Sequence, residues 1–232
     1  MTVHRFFVAP AEMAGDRFPL PDSIAHQVTR VLRLADGAEI VLLDGAGNEA
    51  HVRLEDGECT VDRRGAAGGE PAHRLELWQA LLRGDHLEPV IRHGTEVGVA
   101  AFRLFVSDRC VARDISPGRL ERLRAVAREA AEQSERGIVP DVAEPVAFEE
   151  ALRAAATPSV LLFERATGPR LSSLSAPSSL VIGPEGGFTP DEVEAAERAQ
   201  VPPVGLGPRI LRSETAGVVA AALVLSRTGD FA

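Results

Sequence analysis

Residues 180–192 read LVIGPEGGFTPDE, a short apolar run followed by a turn that holds three glycines and one acid, Glu185. The end of this stretch predicts the start of a helix, because Thr189 is a favourable N-cap and Glu192 is placed to complete a capping box. Pro190 suits the first helical position. The stretch therefore predicts a buried strand joined to a helix by a glycine-rich turn, at the place where α/β proteins bind ligands.

A second stretch, GLGPRILRSETA at residues 205–216, repeats this arrangement with glycines at the end of a predicted strand and a polar cluster before an apolar helix. Two such loops separated by one helix meet at the same edge of a parallel sheet, so together they predict one pocket. These residues leave two alternatives open. In one, the first turn is only a tight connection between a strand and a helix. In the other, Arg209 and Arg212 only solvate the end of a helix.

The acids in the first stretch argue against a phosphate ligand. Asp191 and Glu192 occupy the first helical turn and Glu185 lies in the loop, whereas anion sites at helix starts use bare backbone amides. The chain contains no lysine, so it has no P-loop, and the pattern is not the GxGxxG of dinucleotide-binding proteins. A neutral or cationic ligand suits this turn better.

The wider sequence predicts two domains. Residues 1–73 contain short alternating strands separated by Asp-Gly turns and predict a small β-barrel. Residues 74–232 alternate strands with helices and predict a mainly parallel sheet covered by helices on both faces. The predicted strands are 6–9, 38–44, 49–55 and 58–64 in the first domain and 75–82, 102–107, 159–164, 179–183 and 203–207 in the second. The predicted helices are 86–97 and 117–135, with two more starting at Pro190 and near Glu214.

Composition excludes several classes of protein. The two cysteines form no CxxC pattern and the six histidines are scattered, so no metal is expected. The longest apolar run, Ala216–Leu225, is too short to span a bilayer and the N-terminus lacks a signal-peptide core, so a cytoplasmic protein without a membrane partner is expected. The net charge of −9 argues against nucleic-acid binding by bulk charge. All 25 basic residues are arginine, which leaves local phosphate-binding patches open.

The motifs IGPEGGFTPDE and LGPRILRSETA resemble the signature of the RsmE family, SPOUT-class methyltransferases that methylate N3 of a uridine in 16S ribosomal RNA. The segments HQVTRVLRL, RGDHLEPVIRHGTEVGV, SDRC and EAAEQSERGIVPDV also resemble the family's pattern, in order, so the resemblance covers essentially the whole chain. It implies an α/β fold with a SPOUT-type parallel sheet and a C-terminal trefoil knot, preceded by a PUA-like β-barrel that docks RNA. It also implies a homodimer that acts on 16S rRNA within the small ribosomal subunit.

The resemblance implies that S-adenosylmethionine lies in the knot, held by backbone groups of three loops. Carried onto this chain, the cofactor residues are Phe163, Glu164, Ile182, Gly183, Pro184, Glu185, Gly187, Leu206, Gly207, Ile210, Leu211, Ser213, Thr215 and Ala216. The catalytic candidates are Arg212, which orients the uracil or stabilises its developing charge, and Glu214, which takes the N3 proton or holds Arg212. The RNA-binding candidates are Arg5, Arg30 and Arg33 in the barrel and Arg109, Arg136 and Arg209 beyond it.

The chain departs from the family at several positions. His86 and His93 stand where many members carry lysine, and EQSER replaces EQSGR, which changes the charge expected on the RNA-facing surface. Two other functions are compatible with the same fold. One is a non-catalytic assembly factor that binds RNA, and the other is a methyltransferase that modifies transfer RNA or a ribose oxygen.

Overall fold

The computed structural model describes residues 3–231. The chain divides into two compact units. The first comprises the described residues up to Glu70 together with Ala131–Val139, and the second comprises Pro71–Ala130 and the described residues from Pro140 onward. The sequence predicted a boundary after residue 73, and nothing in it indicated that Ala131–Val139 belongs with the first unit.

The first unit is a five-stranded sheet in the order β1-β3-β4-β5-β2, with a 3₁₀-helix, Pro10–Met13, and one short α-helix. Its elements are β1 (His4–Phe7), β2 (Arg17–Pro19), α1 (Asp22–His26), β3 (Glu39–Leu43), β4 (Asn48–Glu55) and β5 (Glu58–Ala66), and a π-helical turn, Gln27–Val31, continues α1. Strands β1 and β3 pair parallel and the other pairs are antiparallel. Strand β4 alternates buried and partly exposed residues, as expected for a sheet with one face on the core.

The core of this unit contains aromatic and branched side chains from the sheet and the helical segment, including Phe6, Ile40 and Val28. The sequence predicted β1, β3, β4 and β5 near their observed positions. It missed β2 and α1, because three and five residues are too few to show a period. Cys59 lies in this core, where burial raises the pKa of its thiol to about 11.

The second unit is a seven-stranded sheet in which every pairing is parallel. Its elements are β6 (Glu76–Ala80), α2 (Leu87–Glu96), β7 (Ala101–Val106), α3 (Pro117–Gln133), β8 (Asp141–Val142), β9 (Val146–Ala147), α4 (Phe148–Ala154), β10 (Ser159–Leu162), β11 (Ser179–Ile182), α5 (Pro190–Arg198), β12 (Pro203–Val204) and α6 (Ser213–Arg227). The strand order is β12-β10-β11-β6-β7-β8, and β9 also pairs with β7. The predicted α/β fold with a parallel sheet is confirmed. The sequence missed α4 and the two-residue strands β8 and β9.

Four adjacent strands, β12, β10, β11 and β6, bring their carboxyl ends to one edge of this sheet. Strands β10 and β11 are buried along their whole length, which explains why their sequences are continuous apolar runs. The predicted capping box at the start of α5 is present, with Thr189 accepting from the Glu192 amide. The loops that follow these strands therefore start side by side, as the two glycine motifs required.

The segment after β10 contacts both β12 and the last helix. The Leu171 amide donates to the carbonyl of Gly205 at 3.0 Å, and the Arg227 guanidinium donates to the carbonyl of Leu171 at 3.2 Å. These bonds hold the end of the chain against an earlier loop. The trefoil knot itself stays a prediction.

Among residues 3–231, no helix combines the length and the hydropathy that a membrane crossing needs. In the same part of the chain, no group of three or more histidine, cysteine or acidic side chains could hold a metal ion.

Candidate functional site

A cavity of about 510 Å³ lies at the edge where β10, β11 and β12 end. Its walls come from the three predicted loops and from the loop after β6. Of the expected cofactor residues, all except Thr215 line it, as do Arg209, Arg212 and Glu214. The lining also includes five residues outside the predicted set: Arg83, His86, Leu162, Gly186 and Phe188. Arg83 and His86 follow β6, so the carboxyl end of this fourth strand was the signal that could have found them.

The glycine turn is packed so closely that Gly183 has no room for a side chain. A Cβ on Gly183 would lie 2.9 Å from the ring of Phe188. That ring is buried and packs on Phe105 and Phe148, with centroids 6.4 Å and 5.4 Å away, so it has no room to move. Gly187 has φ +68°, a left-handed conformation that glycine adopts without strain. The turn therefore keeps its backbone close to the cavity.

Polar contacts fix the turn from several sides. The carboxylate of Glu185 accepts from the Arg83 amide at 3.1 Å and lies 3.5 Å from Nδ1 of His86. The Arg109 guanidinium donates to the carbonyls of Gly186 and Phe188 at 3.1 and 3.3 Å. Glu185 is thus held at the wall of the cavity and Arg109 supports the turn from outside.

A buried relay joins the turn to the start of α6. The side-chain amide of Gln79 donates to Oγ of Ser213 at 3.0 Å, and that hydroxyl donates to the carbonyl of Gly183 at 2.5 Å. Gln79 is fully buried. The sequence singled out Ser213 but not Gln79, whose partner lies 134 residues away.

The two catalytic candidates lie at the start of α6. Arg212 is its N-cap residue, and Glu214 lies in its first turn. Nη1 of Arg212 is 4.0 Å from Oε1 of Glu214, and their side chains are 86% and 20% exposed. The arrangement presents an exposed guanidinium beside a largely buried carboxylate at the rim of the cavity.

The arginines expected to bind RNA fall into three groups. Arg30 and Arg33 are exposed and have no ion pair among residues 3–231, and Arg33 has the left-handed φ of +52°. Arg209 lines the cavity and Arg109 bonds to the turn, so both lie at the site. Arg5 is largely buried and pairs with Glu49 at 2.8 Å.

The pairing of Arg5 also affects the pKa of its partner. Burial alone would raise the pKa of Glu49, but a hydrogen bond from His51 and the charge of Arg5 together lower it below its usual value. Arg5 is therefore occupied within the first unit.

Arg136 requires a correction to the expectation that it reaches RNA directly. Its side chain is only 2% exposed and pairs with Glu70 at 2.6 Å, and Glu70 also accepts from the Ile138 amide. Both residues lie in the first unit. Because a buried charge is costly without its partner, this arginine stabilises the attachment of Ala131–Val139 and is not available as a surface contact.

Comparison with known proteins agrees with the geometry. The profile of an RNA methyltransferase domain matches residues 69–225, and that of an RNA methyltransferase PUA domain matches residues 20–61. The ribosomal RNA small subunit methyltransferase E of Synechocystis is 35% identical over 95% of this chain and 77% of its own length. The chain belongs to the ribosomal RNA small subunit methyltransferase E family. The Bacillus subtilis family member is 32% identical over 91% of this chain and 90% of its own length.

A solved structure of the same family extends the comparison to the fold. The family member from Neisseria gonorrhoeae, bound to S-adenosylmethionine, is 30% identical with a TM-score of 0.90 and covers all of both chains. The resemblance of the motifs to this family is therefore confirmed. The residue roles assigned from the motifs stay predictions.

Proposed function

We propose that this chain transfers the methyl group of S-adenosylmethionine to N3 of a uridine in 16S rRNA of the small ribosomal subunit. The observation that carries the proposal is the cavity between the two glycine-containing loops, with Arg212 and Glu214 at its rim. Membership of an rRNA methyltransferase family gives the reaction class, and the Neisseria gonorrhoeae relative binds the same cofactor.

The residues of the cavity fit this cofactor. The volume of about 510 Å³ lies in the range of small-molecule sites. There is no room for a side chain at Gly183, and because glycine has none, backbone groups of the turn can contact the ligand closely. Charges of both signs line the cavity and match a ligand with a sulfonium, an ammonium and a carboxylate: Glu164, Glu185, Glu214, Arg83, Arg209 and Arg212. When bound, S-adenosylmethionine supplies an electrophilic methyl group.

The chemistry at N3 sets the tasks of the rim residues. Uracil N3 carries an imide proton, so its lone pair becomes a good nucleophile only as that proton leaves. The Arg212 guanidinium can donate to a uracil carbonyl oxygen and stabilise the negative charge that develops there. Glu214 either accepts the proton or holds Arg212 in place. The target base leaves its stack to reach the rim.

The first unit is proposed as the RNA-docking module, with Arg30 and Arg33 as its phosphate contacts. Both arginines are exposed; Arg30 lies within the π-helical turn, and Arg33 lies two residues after the turn ends. Phosphate contacts from arginine supply affinity that falls as salt concentration rises. The rRNA and the assembled ribosome supply the rest of the interface, which reconciles RNA binding with a net charge of −9.

Replacing both Arg30 and Arg33 with glutamine is expected to raise KM for the small subunit about tenfold and to flatten its salt dependence, because two phosphate contacts are lost. Cofactor affinity is expected to stay unchanged. Methylation kinetics at two salt concentrations measure the effect. A variant with Arg17→Gln and Arg53→Gln removes the same charge from other exposed positions of the unit and serves as the control. Equal losses in both variants would refute the docking assignment.

A homodimer is the proposed assembly, and α6 is its proposed contact. This helix is apolar on its outer face as well as its inner one, and Val219 and Leu223, one turn apart, are 36% and 39% exposed. An apolar face of this kind on a helix is typical of a protein interface. We also propose that the C-terminal part of the chain forms a trefoil knot and that the protein is cytoplasmic.

Replacing Leu223 with glutamate is expected to convert a dimer, with twice the chain mass of 24.7 kDa, into a monomer. The reason is that a buried, unpaired carboxylate opposes association. Light scattering after size-exclusion chromatography measures the mass. Val31→Glu introduces the same charge at another exposed apolar position and should leave the dimer intact. A monomeric wild-type protein, or a dimeric Leu223→Glu variant, would refute the assignment.

Transfer of a labelled methyl group tests the reaction. The wild-type protein is incubated with labelled S-adenosylmethionine and one RNA at a time. The RNAs are small subunits and naked 16S rRNA, both from cells lacking the enzyme, and transfer RNA. Label in the small subunit supports the proposal. Label only in transfer RNA, or cofactor binding without transfer to any of these RNAs, would favour the alternatives named from the sequence.

A further inference from the structure

The buried residue Gln79 connects two parts of the site without lining the cavity. It lies near the carboxyl end of β6, directly opposite Ile182 of β11, and is fully buried. Its side-chain amide donates to Ser213, whose hydroxyl donates to the carbonyl of Gly183. Gly183 opens the glycine turn, and Ser213 lies between Arg212 and Glu214 in the chain.

The direction of these hydrogen bonds follows from the chemistry of the groups. A serine hydroxyl has one hydrogen, and the 2.5 Å bond to the carbonyl of Gly183 requires it. Oγ of Ser213 is then an acceptor toward Gln79, so the NH₂ end of the amide must face it. A carboxylate or an apolar group at position 79 cannot make this bond.

Stability alone does not favour glutamine at this position. Oε1 of Gln79 is buried and has no hydrogen-bond partner among residues 3–231. An unpaired buried acceptor destabilises a folded protein, and methionine has a similar length without that acceptor. The amide is therefore better explained by the bond that it donates than by its contribution to folding.

We infer that Gln79 is a positioning residue, which sets the place of Arg212 and Glu214 relative to the glycine turn through Ser213. The inference rests on the proposed function, in which the turn holds the methyl donor and the start of α6 acts on the uracil. Methyl transfer requires the two reactants to be aligned, and a displacement of about 1 Å lowers the rate by about 100-fold. The relay is the direct hydrogen-bonded link between the two parts.

The test compares Gln79→Met, Ser213→Ala and the double variant in full-length protein. Each single change is expected to lower kcat about 10- to 100-fold. In Gln79→Met, whose side chain does not line the cavity, KM for S-adenosylmethionine should change little. The double variant should be no slower than Ser213→Ala, because the amide acts on the site through the hydroxyl, and its second bond, to the carbonyl of Ala80 at 3.3 Å, stays within β6. The midpoint of thermal unfolding of Gln79→Met should equal or exceed that of the wild type. Ser179→Ala removes another buried hydroxyl, in β11, and should leave kcat unchanged.

Hydrogen–deuterium exchange gives a readout that does not depend on activity. In Gln79→Met, amides of residues 183–187 and 212–216 should exchange about tenfold faster, with the rest of the sheet unchanged. Unchanged exchange in these segments, an additive double variant, or a kcat loss that only follows lost stability would overturn the inference. If Gln79→Met does not fold, Gln79→Leu, which also lacks a donor and carries no charge, replaces it. A wild-type protein that methylates no RNA would refute the proposed function, while the exchange result would still decide the relay.

Discussion

Replacing Arg212 with alanine is expected to lower kcat for methyl transfer by about 10²- to 10³-fold, the cost of removing one donor that stabilises developing charge. The guanidinium lies at the rim of the cavity, 86% exposed, and its contact with Glu214 spans 4.0 Å. It is therefore placed to act on a second molecule rather than to hold the fold. Affinity for S-adenosylmethionine should remain near the wild-type value.

Two further variants sharpen this prediction. Arg212→Lys keeps the charge but loses the planar donor fork, and we expect it to recover only part of the rate. Arg165→Ala removes an arginine of similar exposure that does not line the cavity, and it should have no effect. Single-turnover kinetics and calorimetric titration with the cofactor measure rate and affinity separately. Loss of both in Arg212→Ala would mean that the arginine builds the cofactor site and is not catalytic.

Replacing Gly183 with alanine is expected to lower cofactor affinity by at least about 100-fold and to abolish turnover at ordinary cofactor concentrations. The new Cβ would lie 2.9 Å from the ring of Phe188, which neighbouring rings hold in place. Relief of this overlap must move the backbone of the turn, since an overpacked core shifts its surroundings. The carbonyl that accepts from Ser213 would move with it.

Gly205→Ala is the matched control for this change. Gly205 lies on the second glycine-containing loop, and a Cβ there would meet no atom within 4 Å. Calorimetric titration with S-adenosylmethionine should give wild-type affinity for Gly205→Ala and none measurable for Gly183→Ala. Circular dichroism checks that both variants are folded. Wild-type affinity in folded Gly183→Ala would contradict the role of the turn as a backbone cradle.

The features that depend on residues close together in the chain are predictable from the sequence. The start of α5 was predictable from Thr189, Pro190 and Glu192, because a capping box is complete within four residues. The parallel sheet was predictable because apolar runs alternate with helical segments along the sequence, and this alternation is typical of parallel sheets. The walls of the cavity followed, because consecutive parallel strands bring their following loops to one edge.

The parts that were missed depend on residues far apart in the chain. Gln79 bonds to Ser213 across 134 positions, and nothing near either residue indicates the other. The place of Arg136 in the family-like segment EAAEQSER made it an RNA-binding candidate, but Glu70, 66 positions away, pairs with it in the interior. The attachment of Ala131–Val139 to the first unit is missed for the same reason.

The most direct test of the central claim is the identity of the methylated nucleoside. Small subunits from cells lacking the enzyme are incubated with the purified protein and S-adenosylmethionine, and the 16S rRNA is digested and analysed by mass spectrometry against synthetic standards. We expect N3-methyluridine at a single position, formed by the wild-type protein and not by Arg212→Ala. A methyl group on a ribose oxygen, on another base, or on no nucleoside of the small subunit would contradict it.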